Sequence, residues 1–400
     1  MKKITCENAD EKYQKNSMRK FWGEILRIGI NALQLTARNS GVGQYINNMI
    51  SSLLSFSTDQ FVIYFSCGNK RTEWLALQNV VLRETPYYKE QVILRNLYEL
   101  FYFGLEIRKD NLSLLWSPDT KVPLQIPANI PFVVTVHDLA IFREPGTYLY
   151  SRVMYWRKLF KHAIHKASCV VAISHTTRND LIELMNVSPE KIKVIYNGVN
   201  PCFRIIDDID FLEQISQRYS LPRNFLLFVG LFSPRKNIAG ILRAFSILKN
   251  RYQIPHRLVM VGEKGWLYRN DLRLVRLLGL EEEVSFTGYV DNKDLPAVYN
   301  LADVFVFPSL YEGFGLPVLE AMACGIPVVT SNVSALPEVA GQAGILVDPH
   351  NPEEIASGVY RLLSDRKLSS ELVRAGLERS RQFTWKNAAR ELLKVFHELV

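Results

Sequence analysis

Short, mostly apolar runs separated by helix-like segments recur along nearly the whole chain, and few folds accept that pattern. In the first half the runs cover residues 25–33, 61–65, 114–116, 132–136, 170–173 and 193–196, with a helix expected over 44–54. In the second half they cover 225–229, 257–261, 284–287, 304–307, 327–330 and 344–347. A strand wetted on one face alternates apolar and polar residues, whereas a strand covered by helices on both faces reads as a continuous run. The implied fold class is α/β, with two doubly wound, Rossmann-like parallel-sheet domains facing a cleft. The length, 400 residues, exceeds one ordinary core and suits two domains of about 150 to 200 residues each. The expected division is an extension over 1–22, disordered, a first domain over 23–200, a linker over 201–224 and a second domain over 225–384.

The most specific segment is SLYEGFGLPVLEAMACGIPVV, residues 309–329. It follows a strand run, and Pro317 can open a helix as its first residue, because proline lacks only an amide hydrogen already orphaned there. Gly313 and Gly315 remove side chains from the approach, so the amides of Phe314, Gly315 and Leu316 and the positive end of the helix dipole would face a diphosphate or a sugar hydroxyl. Glu312 precedes the helix and Glu320 is expected in its first turn. Two carboxylates around an anion site are poor phosphate ligands and good acceptors of hydroxyl protons, which suits a sugar nucleotide: one for a transferred sugar, the other for a ribose. The plainer reading is a helix start where acids are favoured anyway.

Other candidates fall at strand ends, where ligands bind in such sheets. Gly41 and Gly43 form a glycine pair opening a helix, again with bare amides. They are not the dinucleotide fingerprint, since Ile46 stands where a third glycine belongs and Phe65 is followed by Ser66, Cys67 and Gly68 where an acid is needed. The run 131–136 ends in His137 and Asp138, an imidazole and a carboxylate at the expected cleft edge. After the run ending at Val229 come Arg235 and Lys236, placed to open a helix and to neutralise a diphosphate leaving group. Gly288, Tyr289 and Val290 can offer backbone groups and an aromatic wall to a nucleobase, or form a plain turn. Asp208-Ile209-Asp210 has the spacing of a metal and nucleotide motif, but with no strand before it the acids read as a helix start.

Composition excludes several classes. The hydrophobic content is 48%, yet no apolar run approaches the roughly 20 residues a spanning helix needs. The polar first residues lack the apolar core of a secretion signal, so the expectation is a cytoplasmic protein that charge can bring to the inner face of the membrane. Five cysteines without a close CxxC pair argue against a disulfide framework or a zinc site. Residues 1–200 hold 25 Lys+Arg against 17 Asp+Glu, a net of 25 − 17 = +8, and the second half is neutral at 23 of each. Such a basic half can attract nucleic acid, an acidic substrate or an anionic membrane, and no nucleic-acid motif accompanies it. Residues 151–168 concentrate the excess, with Arg152, Arg157, Lys158, Lys161 and Lys166 among Tyr155, Trp156 and Phe160. A helix of this kind can lie in a lipid headgroup layer, and an ordinary amphipathic helix reads the same way.

Taken together, GVGQY, VTVHDL, VAISHTTRNDL, NGV, VGLFSPRKN, VGEKGW, FTGYV and EGFGLPVLEAMACGIPVV resemble the retaining glycosyltransferases of family 4, which have the GT-B fold. The likeness runs from about residue 25 to the terminal helix over 385–399; residues 1–22 lie outside it, and translation could begin at Met1 or Met18. The resemblance implies that Arg235 and Lys236 bind the diphosphate, that Glu312 contacts the donor sugar and that Glu320 holds the ribose. Backbone amides of Gly313 to Leu316 would help bind sugar and phosphate, the loop with Gly41 and Gly43 would close over the diphosphate, and His137 would lie beside the transferred sugar. Asp138 is a weaker candidate, for acceptor contact. The terminal helix would cross back onto the first domain. Two positions depart from the family pattern, Gln44 and Leu231, where arginine is usual.

The expected reaction moves a hexose from a nucleotide sugar, without metal or other cofactor, to a polysaccharide or lipid-linked glycan. The likeness to bacterial mannosyltransferases favours GDP-mannose over a UDP- or dTDP-sugar. A catalytically idle nucleotide-sugar-binding protein would keep the fold without Glu312, Arg235, Lys236 and His137.

Overall fold

The computed structural model describes residues 24–35, 41–68, 74, 77–88, 91–148, 150–263 and 268–400, so the extension over 1–22 lies outside the described residues. The chain folds into two parallel sheets. The first contains β1 (Arg27–Asn31), β2 (Gln60–Cys67), β3 (Val80–Tyr88), β4 (Leu114–Ser117), β5 (Phe132–Val136), β6 (Cys169–Ala172) and β7 (Ile192–Val194), in the order β3-β2-β1-β4-β5-β6-β7. The second contains β8 (Phe225–Val229), β9 (Arg257–Val261), β10 (Val284–Gly288), β11 (Val304–Phe307), β12 (Val328–Ser331) and β13 (Ile345–Val347), in the order β10-β9-β8-β11-β12-β13. Central strands such as β5, β8 and β11 are buried at every residue, the burial their almost wholly apolar sequence requires.

Strand order reverses between β1 and β4 in the first sheet and between β8 and β11 in the second. A crevice opens outside the carboxyl ends of strands at such a reversal. The segments after β8 and β11 carry Arg235, Lys236 and Glu312, so these residues come together because their strands are neighbours.

One element differs from expectation. Strand β3 carries Arg83, Glu84 and Pro86 and so lacks an apolar run. As an edge strand it pairs only with β2, and its register shifts near the proline, where edges tolerate a missing amide. The stretch between the sheets contains a helix, Ile209–Arg218, whose cap is Asp208: its Oδ1 accepts the Phe211 amide at 3.0 Å, the helix-start role expected of these acids. Arg218 and the Tyr219 hydroxyl both reach Asp294 Oδ2, at 2.7 and 2.9 Å, which docks this helix on the second domain.

The last helix, Trp385–Leu399, leaves the second domain and packs on the first. Trp385 meets Tyr45 edge-on at 5.8 Å between ring centres, Phe396 meets Trp116 at 5.9 Å, and His397 Nε2 lies 3.2 Å from Asp59 Oδ2. Gly198 permits the crossing, since a Cβ there would stand 2.1 Å from the Trp385 amide nitrogen.

Candidate active site

The floor of the cleft is a buried charge cluster. Lys236 Nζ lies 2.6 Å from Glu312 Oε1, and Arg235 Nη1 lies 2.9 Å from Glu312 Oε2. Arg235 Nη1 also donates to the Tyr311 carbonyl at 2.6 Å, Ser309 Oγ donates to Glu312 Oε1 at 2.6 Å, and Lys236 stands over the Phe307 ring at 4.7 Å. Burial alone would push the Glu312 carboxyl up, but the Arg235 and Lys236 charges and the hydrogen bonds to it hold it at about 2. Burial pulls the Lys236 ammonium below its ordinary range against the attraction of Glu312. For Arg235, burial is outweighed by Glu312 and by Asp138 across the cleft, and its pKa lies above the usual value. Two cations share one carboxylate, so the cluster keeps one positive charge in excess and can attract an anion.

Contrary to the expectation from sequence, the cations do not open a helix. They sit in the single 3-10 turn Pro234–Lys236, and the helix Ile238–Asn250 starts after Asn237, whose left-handed backbone (φ 57°) breaks the two apart. That break turns both side chains toward the end of β11 and not along a helix axis.

The glycine-rich turn is shaped by two close approaches. A Cβ on Gly313 would stand 1.8 Å from the His137 carbonyl oxygen. Gly315 has φ 106°, and a Cβ there would also stand 2.6 Å from Leu336 Cδ2. Gly315 caps the helix Leu316–Ala323, so Pro317 is its second residue, and Glu320 falls in the second turn instead of the first turn expected from sequence. Glu320 is buried, accepts the Tyr299 hydroxyl at 3.0 Å, and is pushed up to about 7 by that burial. The amides of Phe314, Gly315 and Leu316 sit at the helix start as anticipated, although the Phe314 side chain is buried against Phe383 and Tyr196.

From the first domain, His137 and Asp138 follow β5 and face this cluster. His137 Nε2 contacts the Pro118 carbonyl at 2.7 Å; a carbonyl only accepts, so Nε2 carries a proton and donates. The Tyr45 ring supports the imidazole edge-on at 4.7 Å. Asp138 Oδ1 accepts the Ala140 amide at 3.0 Å. The glycine pair differs from expectation: Gly41 and Gly43 are already the first turn of the helix Gly41–Phe56, because the helix begins three residues before Gln44. A Cβ on Gly41 would meet nothing within 4 Å, while residues 36–40 lie outside the described residues.

Gly288 ends β10 at φ 73°, and its carbonyl accepts the Gly262 amide at 3.0 Å. Tyr289 is 50% exposed beside it, free to form a wall, whereas Val290 is buried in the core and presents no side chain to a ligand.

Several residues at the site have no obvious sequence signal. The Tyr311 hydroxyl donates to Asp180 Oδ2 at 2.6 Å and accepts the Leu139 amide at 3.3 Å, across the two domains. Arg143 Nε donates to Asp180 Oδ1 at 2.7 Å. Glu338 of the second domain accepts the amides of His175 and Thr176 at 2.9 and 3.0 Å, capping a first-domain helix, His175–Met185. Tyr311 lies inside the segment 309–329 and Asp180 inside VAISHTTRNDL, but only their pairing reveals a role.

This geometry can be set beside known proteins. Residues 39–202 match the model of Glycosyltransferase Family 4, and residues 212–379 that of Glycosyl transferases group 1. O-antigen chain mannosyltransferase B of Escherichia coli is 34% identical over 265 residues, covering 66% of this chain and 69% of that one. O-antigen chain mannosyltransferase RfbU of Salmonella typhimurium is 29% identical, covering 83% and 90%. The serotype-specific mannosyltransferase WbdA of Escherichia coli is 34% identical over 69% of this chain, which spans only 35% of that longer protein. Among solved structures, sucrose-phosphate synthase from Thermosynechococcus elongatus superposes with a TM-score of 0.74 at 22% identity, over 94% of this chain and 99% of that one. WaaG, a glycosyltransferase involved in lipopolysaccharide biosynthesis, superposes with a TM-score of 0.72 at 16% identity, over 92% and 99%. The two domain matches and the Escherichia coli relative show that this chain, with its GT-B architecture, belongs to the family 4 and group 1 glycosyltransferases.

Proposed function

We propose that the chain is a retaining mannosyltransferase that takes mannose from GDP-mannose and adds it to a growing polysaccharide or lipid-linked glycan, in the cytoplasm and without a metal ion. The observation that carries this reading is the buried Arg235–Lys236–Glu312 cluster at the strand reversal, facing His137 and Asp138. The mannosyltransferase names of the relatives supply the sugar. In this reaction the acceptor oxygen bonds to the anomeric carbon on the face from which the diphosphate departs. The bond from that carbon to the phosphate oxygen breaks, and the acceptor's proton passes to the leaving phosphate. Arg235 and Lys236 stabilise the charge growing on that phosphate, the work a metal would otherwise do. Entry of the diphosphate draws both cations partly from Glu312, which frees its oxygens for sugar hydroxyls. Glu320 takes the ribose, the helix-start amides of Gly313 to Leu316 the phosphate, Tyr289 the base and His137 the transferred sugar.

Thermal stabilisation by a panel of nucleoside diphosphates and their sugars tests the donor, since a ligand at 100 times its dissociation constant adds about 2.7 kcal/mol. A selective shift with GDP and GDP-mannose supports the reading. A UDP or dTDP preference replaces the donor, and a nucleotide shift without turnover on any acceptor makes the chain a binding protein. Full activity in chelator is expected, and an α-linked product from the α-linked donor shows retention. A lipid-linked acceptor would also bring the enzyme to a membrane, where the helix Tyr150–Lys166 supplies cations. No helix among the described residues is long and apolar enough to cross one.

A further inference from the structure

The helix Val92–Phe101 is inverted. Its inward face carries Arg95 and Glu99, both buried, with Glu99 accepting Asn31 Nδ2 at 2.7 Å and Gln34 Nε2 at 2.6 Å. Its outward face carries Ile93, Leu94, Leu97 and Phe101, with Ile93 76% and Phe101 58% exposed. The positions i, i+1, i+4 and i+8 fall on one side of a helix. The apolar surface continues on the next helix, Phe103–Lys109, through Tyr102 and Leu105, while that helix itself is seated normally by buried Phe103 and Ile107. Gly104 fixes the seat, since a Cβ there would stand 2.0 Å from the Gln125 carbonyl oxygen. A single exposed leucine is ordinary; a continuous apolar face on a helix that buries its charges is a surface made to be covered.

Its neighbour indicates what covers it. Leu159 of the helix Tyr150–Lys166 borders the same small cavity as Asn96, Glu99 and Leu100, so the two helices lie side by side. The outer side of Tyr150–Lys166 exposes Met154, Lys158, Lys161 and His165, again one stripe at helical spacing. Apolar side chains flanked by lysines match the acyl boundary and anionic headgroups of a bilayer. A second copy docked on the same face would offer these lysines only the same apolar and cationic side chains, whereas an anionic surface offers them opposite charge.

We propose that the outward face of Val92–Phe101, with Tyr102 and Leu105, is the surface on which this protein lies on an anionic lipid bilayer, and that the lysine stripe of Tyr150–Lys166 is its cationic border. The placement gives the membrane contact a different primary element from the basic helix alone. It rests on the glycosyltransferase reading only for its purpose, not for its chemistry.

The test is sedimentation of the full chain with vesicles of phosphatidylcholine alone and of phosphatidylcholine mixed with phosphatidylglycerol, at low and high salt. Wild type is expected to bind the mixed vesicles and to lose most of that binding in high salt. The double variant Leu97→Glu/Phe101→Glu should reduce binding about tenfold or more at either salt, because two inserted side chains are replaced by anions. Lys158→Glu/Lys161→Glu should remove chiefly the salt-sensitive part. Unchanged thermal shifts with nucleotide in both variants keep the fold, and the donor reading, separate from the lipid result. No binding of wild type to acidic vesicles overturns the proposal, as does equal binding by Leu97→Glu/Phe101→Glu. A wild-type dimer in sedimentation equilibrium that this variant dissolves assigns the face to a second copy instead.

Discussion

Gly313 is pressed against the backbone of His137 across the domain cleft: a Cβ on the glycine would stand 1.8 Å from the His137 carbonyl oxygen and 2.8 Å from the Asp138 Cβ. The Thr177 hydroxyl also donates to the Gly313 carbonyl, at 3.4 Å. The obstacle is backbone, so no rotamer change can relieve it. The cheapest response to Gly313→Ala is for the two domains to part. The variant should melt close to wild type, show a larger radius of gyration by small-angle scattering, and lose about 100-fold in turnover, the scale of an ångström-sized misplacement of reacting groups. An active variant of unchanged size would mean that the cleft does not close through this contact.

The Glu312 cluster separates stability from catalysis. Glu312→Gln leaves Arg235 and Lys236 buried without their counter-charge, which should cost about 3–5 kcal/mol of folding stability, the usual result of removing one partner of a buried pair. A nucleoside diphosphate replaces the missing anion, so its stabilisation of the variant should exceed its stabilisation of wild type in differential scanning fluorimetry. Lys236→Ala should instead fold well and lose about 10²–10³ in turnover. Equal nucleotide shifts in Glu312→Gln and wild type would show that the diphosphate does not contact the cations.

Much of this site is legible in the sequence, for a definite reason. Arg235, Lys236, Glu312 and His137 each come after a strand whose almost wholly apolar run announces it, and an α/β sheet gathers the segments leaving its strands at one edge. The pairing of these residues is not legible. Lys236 and Glu312 are paired only because β8 and β11 are neighbours, and the cross-domain contact of Tyr311 with Asp180 depends on the angle between two sheets. The same limit applies to the fold. The edge strand β3 is half wet and carries Pro86, so its run is broken, and the inverted helix Val92–Phe101 reads from its apolar residues as an ordinary amphipathic helix with the opposite face inside. Val290 shows the converse: a turn residue that composition allows at a ligand wall is buried in the core.

Glu320 gives the binding reaction a pH dependence with a definite sign. Burial raises its carboxyl to about 7, above the unfolded value near 4.5, so it stabilises the fold fully below about 4.5, and that contribution is lost as pH rises toward 7. In the proposed ribose-binding role, a hydroxyl of the nucleotide would donate to the ionised form. Nucleotide affinity should therefore rise from pH 6 to about 7 and then level, with proton release on binding at the lower pH. Calorimetry in two buffers of different ionisation enthalpy measures that proton. Glu320→Gln should abolish both the release and the slope; a slope that survives the substitution assigns the titration elsewhere.

The terminal helix makes a prediction that separates sequence position from structural membership. Phe396 is fully buried against Trp116 of the first sheet, although it follows the whole second domain in sequence. Phe396→Ala opens a cavity between that helix and the helix Gly41–Phe56, at a cost of about 3–5 kcal/mol. The loss belongs to the first domain, because the helix Trp385–Leu399 packs on Trp116 of β4 and on Tyr45. Hydrogen exchange should therefore quicken in Gly41–Phe56, β1 and β4 while β8, β9 and β11 keep their protection. Since Tyr45 touches both Trp385 and His137, the loosened helix should also disturb the imidazole and lower turnover before the second domain unfolds. Exchange that quickens equally in both sheets would mean that the two domains unfold as one unit and that the crossing helix is a clasp between them.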